Sequence, residues 1–485
     1  MRSIVHTWRL RATMVVLAVL GMLALVPALA QARFDVGLED LGHFQPATAA
    51  RAFGAMRAID GSTIRLGVPW SGVAPGGATK PTGFVATNPA DPGYNWDDFD
   101  RAVRAAAQRH LNVLMTLFSA PAWAEGPNRP ANPNISAGAW DPSPSAFADF
   151  ARAAALRYSG RFPDPLHRGA SLPRVRDWEI WNEQNLPYYL AAPDLVGEYR
   201  NLLNAGYSAI KAVHADNTVA TGGLAPVSFL PPLSLSPLKF AADLMCLRRV
   251  GTGFVRNGSC PDRAHFDAFG HHPYTLAATP TKPAYRYDDV LVADIGKIRD
   301  VVGAADRLHT VAPSIRHQLW VTEWGWVTNP PNKTVGESYA TAARYVAYAM
   351  YEMWRSGVSL VMWQTIRDVS NANPLGGGLY KGSGQPKPSL QAFGFPVVAA
   401  VSRGRGFVWG RAPVSGRVHM IVERRAGRRW QQVTTTLTGS DGVFEVHFKA
   451  GGNATYRARV AHGPTSLAYD STPIPPRRTH LFNSG

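Results

Sequence analysis

The run Asp177-Trp-Glu-Ile-Trp-Asn-Glu183 alternates polar and apolar residues and ends in an amide and a carboxylate. A second run, Leu319-Trp-Val-Thr-Glu-Trp-Gly-Trp326, repeats that arrangement later in the chain. Short runs rich in β-branched and aromatic residues are typical of strands. Both runs are therefore predicted to be strands that carry a glutamate at the carboxyl end.

These two runs belong to a longer series of similar segments. From residue 34 to about residue 400, short apolar runs alternate with amphipathic stretches of helical spacing. Eight strands separated by helices are typical of an α/β fold, the (β/α)8 TIM barrel. A doubly wound sheet is the competing architecture, but no glycine-rich fingerprint follows the first strand. The predicted strands are Phe34–Leu38, Thr63–Val68, Asn112–Leu117, Val175–Trp181, Thr218–Gly222, Phe266–Gly270, Gln318–Thr322 and Ser359–Trp363, and the clearest helical stretches are Trp96–Arg109, Pro144–Tyr158, Asp194–His214 and Glu337–Ser356.

The composition indicates a folded chain with few cysteines. Its 485 residues are 46% hydrophobic and 17% charged, which excludes a disordered or fibrous class. The length suggests two or three domains unless one of them is a large barrel. Only two cysteines occur, Cys246 and Cys260, which excludes a multi-cysteine metal cluster. In an exported chain they are expected to form a disulfide, and two buried free thiols are the alternative.

The first thirty residues have the pattern of a secretory signal peptide. Three arginines precede the apolar run Met14–Ala24, and small residues suitable for cleavage follow at Ala28-Leu-Ala30. We therefore expect a secreted or cell-wall-associated protein with no stable membrane span after cleavage. An uncleaved membrane anchor is the alternative, although the run is short for a span of about 20 residues.

The pattern changes to short alternating strands after Val401. Apolar residues alternate with polar ones around Met420, Val446 and Ala458, and glycine-containing turn signals separate these runs. This is typical of a small all-β sandwich. The predicted boundaries are 1–30 for the signal peptide, 31–402 for the barrel, 403–470 for the sandwich and 471–485 for a Pro-rich tail.

The positive charge is concentrated in the same C-terminal part. The chain has 50 Lys+Arg against 34 Asp+Glu, a formal net charge of +16, and 13 basic but only 4 acidic residues lie from Arg403 onward. In an exported protein this asymmetry suggests an acidic cell-wall polymer as a partner rather than nucleic acid. A solvated arginine-rich surface is the alternative.

Two glutamates at strand ends suggest glycosidic bond chemistry. Catalytic groups of a (β/α)8 barrel project from the C-terminal ends of its strands. Glu183 ends the fourth predicted strand and Glu323 the seventh, so their side chains are expected to converge over one substrate. One carboxyl group can protonate the leaving oxygen while the other attacks or stabilises the oxocarbenium-like centre. Glu179 lies deeper on the same strand face as Glu183, and we interpret it as a structural carboxylate.

Here the sequence resembles a known group of enzymes. Trp181-Asn182-Glu183 and Thr322-Glu323-Trp324-Gly325 are similar to the acid/base and nucleophile motifs of clan A glycoside hydrolases, with families 39 and 5 the nearest in pattern. The resemblance covers residues 34 to about 400 and leaves out the C-terminal module. It implies a retaining enzyme in which Glu183 is the general acid/base, Glu323 is the nucleophile and Asn182 binds the sugar 2-hydroxyl group.

Other positions carry the same resemblance. Arg65 is similar to a clan arginine that keeps the nucleophile ionised, and His272 and Tyr274 to a pair that borders the nucleophile. Trp363 ends the eighth strand, where the clan places a tryptophan under the reacting sugar. The sequence departs from the pattern at Gln184, where many members have proline.

The expected function is hydrolysis of a β-linked oligo- or polysaccharide without a cofactor or catalytic metal. A transglycosylase using the same two glutamates is a close variant, and a non-catalytic carbohydrate- or cell-wall-binding protein on a barrel scaffold is the alternative of a different class. Aromatic residues near the strand ends are candidates for stacking on sugar faces or for ordinary packing: Trp70, Trp123, Tyr188, Tyr189, Trp324 and Trp326.

Overall fold

The computed structural model of the protein describes residues 33–473, except 46–47, 232, 277, 369–376 and 415. The described residues belong to one compact unit. The predicted signal peptide and nearly all of the predicted Pro-rich tail lie outside the described residues.

Eight parallel strands close into a barrel, as the sequence predicts. Each strand pairs with the next along the chain, and the eighth pairs with the first. The (β/α)8 fold is therefore confirmed, with strand ends that differ from the prediction by a few residues. The barrel strands, numbered first to eighth below, are Asp35–Glu39, Thr63–Pro69, Asn112–Phe118, Asp177–Ile180, Thr218–Thr221, Ala268–Gly270, Gln318–Trp324 and Val358–Trp363.

Helices and short connecting elements surround the barrel. Asp194, a predicted helix start, caps one helix by accepting a hydrogen bond from Gly197 N at 3.0 Å. The α-helices are Ala49–Ala58, Trp70–Val73, Asp97–Ala107, Pro144–Arg157, Leu195–Val213, Pro237–Leu244, Gly296–Leu308, Tyr339–Arg355 and Pro388–Gly394, and the 3-10 helices are Leu41–Phe44, Ala122–Ala124 and Val292–Asp294. Two small sheets lie in the connections, one of Leu247–Val250 with Gly253–Arg256 and one of Ala264–His265 with Val311–Ala312.

The barrel interior consists of an apolar layer beneath a polar one. Alternation sends every second side chain of a strand inward. The lower layer is a buried cluster of Leu114, Ala220, Ala268, Trp320, Leu360 and Met362. Charged and polar side chains such as Arg65, Thr116 and Glu179 also point into the barrel, and all of them are buried. The apolar layer closes the floor beneath these polar groups.

The C-terminal region forms two antiparallel sheets, as predicted. A three-stranded sheet contains Val397–Ser402, Arg405–Arg411 and Val443–Lys449, and a four-stranded sheet contains His419–Ala426, Arg429–Leu437, Thr455–Val460 and Tyr469–Asp470. The expected domain boundary after residue 402 falls in the turn of the first hairpin of this region.

The C-terminal sheets pack against the barrel through buried side chains. Trp409 is fully buried and its ring centroid lies 5.5 Å from that of Trp354 on the Tyr339–Arg355 helix. Arg411 is also buried and donates to the carbonyl oxygens of Ile59, Asp60 and Gly394 at 3.0, 2.9 and 3.3 Å. This contact anchors the β region to the barrel.

The two cysteines form a disulfide, as expected for an exported chain. Cys246 and Cys260 are bonded, with their Cα atoms 5.9 Å apart, and they flank the hairpin of Leu247–Val250 and Gly253–Arg256. Within the described ranges, no helix has the length and apolarity needed to cross a bilayer.

We predict that Arg411→Ala lowers the free energy of unfolding by about 3 kcal/mol, because three buried carbonyl oxygens lose a charged donor. Denaturant unfolding followed by tryptophan fluorescence measures the change, and the exposed Arg417→Ala is the matched control. An Arg411→Ala protein as stable as this control would contradict the anchoring role.

Candidate active site

The two predicted catalytic glutamates meet at the carboxyl ends of the barrel strands. One carboxylate oxygen of Glu183, one of Glu323 and a ring nitrogen of His272 all lie within 4.8 Å of one another. Both glutamates are 8% exposed. The sequence prediction that these side chains converge agrees with this geometry.

An unusual backbone path after the fourth strand brings Glu183 over the barrel mouth. Trp181 and Glu183 adopt φ angles of 72° and 43°, a left-handed region that bulky side chains rarely occupy. The path is held by hydrogen bonds: Trp181 Nε1 donates to Tyr189 O at 2.8 Å, and Glu183 N donates to Gly223 O at 2.9 Å. Strained backbone of this kind tends to cluster at functional sites.

Gln184, the departure from the family pattern, stabilises the same loop. Its side chain is fully buried and Nε2 donates to the Gly222 carbonyl oxygen at 2.8 Å. The amide therefore ties the loop to the end of the fifth strand.

Arg65 lies at the centre of the site and contacts three carboxylates. Its Nε donates to Glu179 Oε2 at 2.7 Å, and its Nη1 lies 3.3 Å from Glu323 Oε2 and 3.2 Å from Glu39 Oε2. Its Nη2 donates to Asn182 Oδ1 at 2.8 Å. One guanidinium group thus orients the end of the fourth strand and the carboxylate on the seventh.

Glu179 is held by the barrel interior, as its structural interpretation expects. Its Oε2 also accepts from Thr116 Oγ1 at 2.6 Å, and its Oε1 accepts from Gly223 N at 3.1 Å. The side chain is fully buried below the site. Both of its oxygens are occupied by donors of the protein itself.

Tyr274 borders Glu323, as predicted for the pair on the sixth strand. Its hydroxyl group lies 2.9 Å from Glu323 Oε1 and 2.6 Å from Gln364 Oε1. Burial, followed by the charge of Glu323, raises the pKa of Tyr274 well above its ordinary value, so the hydroxyl keeps its proton. The hydroxyl has one proton for these two acceptors, and with Arg65 near the other oxygen, each oxygen of Glu323 has a donor within hydrogen-bond distance.

His272, the other member of that pair, lies closer to Glu183 than to Glu323. Its Nδ1 is 3.1 Å from Glu183 Oε1 and 4.0 Å from Glu323 Oε2, and its Nε2 is 3.1 Å from Thr322 Oγ1. Burial lowers the pKa of His272 to about 4, so the ring is neutral near pH 7. A neutral ring can donate to ionised Glu183 or accept from protonated Glu183, with Thr322 bonding to the other nitrogen.

The His272 ring has room only because a glycine, Gly223, lies just after the fifth strand. A Cβ atom on Gly223 would lie 2.0 Å from His272 Nε2 and 2.7 Å from Thr322 Oγ1. Any larger residue at this position would displace the ring from Glu183.

Two carboxyl groups of the site have strongly raised pKa values. Burial raises the pKa of Glu183 to about 7, and Arg65 opposes this only in part. Burial raises the pKa of Glu39 to about 8; Arg65 opposes the shift, and the charges of Glu323 and Glu179 add to it. Glu183 is therefore protonated over much of the neutral range.

Trp363, predicted to bind substrate, does not join this group. Its side chain is fully buried, its ring lies 5.2 Å from those of both Trp324 and Phe393, and its Nε1 donates to Gly377 O at 3.0 Å. Because side chains alternate along the strand, Trp363 points away from the barrel interior and the next residue, Gln364, faces the site. The prediction for Trp363 is corrected accordingly.

Two residues of the site were missed by sequence reasoning: Glu39 at the end of the first strand and Gln364 just after the eighth. Counting inward positions from the strand pattern would have found both, since Glu39 and Gln364 have the parity of Gly37 and Met362. Neither residue belongs to a motif that attracts notice by itself.

Most of the aromatic candidates pack inside the protein. Trp70 and Trp324 are fully buried, and Trp326 is 3% exposed. By contrast, Tyr188 is 61% exposed, and its ring lies 5.2 Å from that of the partly buried Tyr189 in the loop after Glu183. This pair stays a candidate for sugar stacking.

A metal ion suits the site poorly, although Glu183, His272 and Glu323 could each offer one ligand atom. Arg65 and Tyr274 already occupy the two oxygens of Glu323, and a guanidinium group next to a cation is repulsive. The donor set therefore fits a charge-stabilised carboxylate better than a metal ligand.

Comparisons with known proteins bear on the fold. No protein-family model and no curated protein matches the sequence. Solved structures do match in three dimensions. A family 39 glycoside hydrolase from Bacteroides cellulosilyticus WH2 is 17% identical, with a TM-score of 0.53 over 87% of this chain and 81% of the other.

Two further structures match over similar lengths. A glucosidase from Croceicoccus marinus is 13% identical, with a TM-score of 0.50 over 86% of this chain and 93% of the other. The GH39 enzyme from Xanthomonas axonopodis pv. citri is 16% identical, with a TM-score of 0.50 over 87% and 94%. The chain has the fold of these hydrolases. Identities this low establish the fold alone, so the chemistry rests on the site.

We predict that the site does not bind zinc. Isothermal titration with micromolar ZnCl2 at pH 7 should give no saturable heat, because both Glu323 oxygens are already bonded within the protein. Saturable one-to-one binding that disappears in His272→Ala would contradict this prediction, with the exposed His447→Ala as the control.

Proposed function

We propose that the protein is a retaining glycoside hydrolase that cleaves β-linked glycans by double displacement. The observation that carries the proposal is the approach of Glu183 and Glu323, whose nearest carboxylate oxygens lie within 4.8 Å. Retaining glycosidases place their two carboxyl groups about 5–5.5 Å apart, whereas inverting enzymes need about 6.5–9.5 Å to admit a water molecule.

The different surroundings of the two glutamates support different roles. Glu183, whose pKa is raised to about 7 by burial, is suited to deliver a proton to the glycosidic oxygen. Glu323 receives hydrogen bonds from Arg65 and Tyr274, which stabilise its anionic form as a nucleophile.

The reaction would proceed in two balanced steps. A Glu323 oxygen attacks the anomeric carbon while Glu183 protonates the departing oxygen, which releases the leaving group as an alcohol. Glu183, now ionised, then takes a proton from water, and the resulting hydroxide displaces Glu323 from the anomeric carbon. His272 can bond to Glu183 in both protonation states, because the neutral ring offers an N–H or a lone pair at Nδ1.

Asn182 is suited to bind the sugar next to the cleaved bond. Its Oδ1 is engaged by Arg65 Nη2 at 2.8 Å, which fixes the amide and points its NH2 group elsewhere. A hydrogen bond from this group to the 2-hydroxyl would strengthen in the transition state.

We predict that Glu323→Gln and Glu183→Gln each lower kcat on 4-nitrophenyl β-glycosides by at least about a hundredfold, since each removes a group that acts in the transition state. The exposed Glu445→Gln is the matched control. Proton NMR of the first product formed by the wild type should show the substrate's anomeric configuration.

An inverted first product would replace the retaining mechanism with the inverting one. A wild-type protein that binds oligosaccharides without turning over any glycoside would instead support the non-catalytic binding protein.

We also predict that kcat/KM falls tenfold per pH unit above about pH 7. The pKa of Glu183 is raised to about 7, so the protonated acid is present below that pH and is lost above it. In Glu183→Gln this basic limb should be absent when the leaving group is 2,4-dinitrophenolate, which leaves without protonation. If the basic limb persists unchanged in the variant, a group other than Glu183 is responsible for it.

Export and an acidic polymer partner are further parts of the proposal. Their support is the N-terminal sequence pattern and the excess of arginine from Arg403 onward. Arg428 lies in the turn of an exposed hairpin of the C-terminal four-stranded sheet, and Arg429 begins the second strand of that hairpin. An anionic polymer could reach both side chains.

A further inference from the structure

Glu39 is a fourth carboxyl group in the site, and the proposed reaction gives it no role. It ends the first strand, and its Oε2 shares one Arg65 nitrogen with Glu323 Oε2, at 3.2 and 3.3 Å. Glu39 therefore lies directly beside the carboxylate proposed as the nucleophile, where the sugar ring on the non-leaving side (the glycone) would bind.

The hydrogen-bonding capacity of Glu39 is unused. Its Oε2 is buried, and the geometry to Arg65 does not make a hydrogen bond, so this oxygen has no hydrogen-bond partner in the part of the chain that the structure describes. The side chain as a whole is 17% exposed toward the mouth. A buried acceptor without a donor is costly, and a ligand hydroxyl group would remove that cost.

Gln364 stands beside Glu39 on the neighbouring strand. Leu38 pairs with Trp363 in the register of the first and eighth strands, and Glu39 and Gln364 are the residues that follow this pair in the sequence. The amide oxygen of Gln364 lies 2.6 Å from the Tyr274 hydroxyl, and among the described residues the other polar atom of the amide has no hydrogen-bond partner. One hydroxyl group can donate to Glu39 and bond to this amide at once.

The charges around this part of the site limit which glycone can bind. Glu179 and Glu323 share one cation, Arg65, and His272 is neutral. Because burial raises the pKa of Glu39 to about 8, this carboxyl group is protonated near pH 7. A carboxylate on the sugar would meet the negative charges of Glu179 and Glu323, and among the described residues of the site no cation is left to pair with it.

Resting on the proposed hydrolase function, we propose that Glu39 and Gln364 form the glycone-selecting wall of the site, which binds a hydroxyl group of a neutral sugar and rejects uronic acids. Trp363 is buried against Trp324 and faces away from this position, so selection by this wall depends on the polar contacts of Glu39 and Gln364.

The test compares 4-nitrophenyl β-glycosides in matched pairs, each neutral glycone beside its counterpart with a carboxylate on C5. We expect the kcat/KM of the wild type for its best neutral glycoside to exceed that for the matching uronide at least about a hundredfold. In Glu39→Gln, which keeps the shape but replaces the carboxyl group with an amide, turnover of the neutral sugar should fall about tenfold. The preference should shrink by the same factor, because the uronide makes no hydrogen bond to Glu39 that could be lost.

Two other variants test the second residue of the wall and provide a control. Gln364→Ala should raise KM for the neutral sugar about tenfold and shrink the preference by a similar factor, because it removes a hydrogen bond that only the neutral sugar makes. Glu445→Gln, exposed in the C-terminal sheet, should match the wild type. Circular dichroism checks that each variant is folded, and if Glu39→Gln is not, Gln364→Ala and the wild-type preference still decide the matter.

The two possible failures are distinguishable. A wild type that hydrolyses no glycoside of either kind overturns the proposed function itself. A wild type that hydrolyses uronides as well as neutral glycosides, or an unchanged preference in Glu39→Gln, overturns the role of this wall and leaves the hydrolase function standing.

Discussion

The guanidinium group of Arg65 is the interaction on which the rest of the site depends. It is the cation shared by Glu39, Glu179 and Glu323, and it also fixes the amide of Asn182. Burial opposes the charge of Arg65, but the three carboxylates outweigh burial and raise its pKa above the ordinary value. Removing one partner from such a buried network leaves the remaining charges unpaired. The resulting loss of folding free energy is larger than the contribution of a surface ion pair.

The barrel makes this concentration of charge possible, because strands bring residues that are distant in sequence to the same level. Arg65 and Glu323 are 258 positions apart in the chain and yet lie within 3.3 Å of each other. The apolar layer beneath them keeps the network dry on one side, and the mouth leaves Glu183 partly accessible on the other. Burial and access together allow one carboxyl group to hold its proton near neutrality while its neighbour, 4.8 Å away or less, is stabilised as an anion.

Sequence reasoning located the strands and the two central glutamates because both depend on local patterns. Alternation defined the strand that ends at Ile180, and Trp-Asn-Glu marked the residues after it. Reasoning failed where the outcome depends on a shift of one residue: Trp363 was chosen for its chemistry, although its parity places it outside the barrel and Gln364 inside. Glu39 was overlooked because an isolated glutamate has no signature, and its importance arises only from proximity to Arg65. The left-handed backbone at Trp181 and Glu183 is likewise set by tertiary contacts.

The C-terminal β region is better understood as part of the barrel's scaffold than as an independent module. Trp409 and Arg411 are buried in the contact, and the Arg411 guanidinium donates hydrogen bonds to backbone carbonyl oxygens of the barrel. Truncating the chain within this region would therefore expose apolar surface and leave buried polar groups without partners. The truncated protein would lose stability, and this loss would mask any effect on binding. A binding partner of the basic surface would therefore contact the exposed arginines of the C-terminal sheets. Arg411 faces inward and stabilises the fold instead.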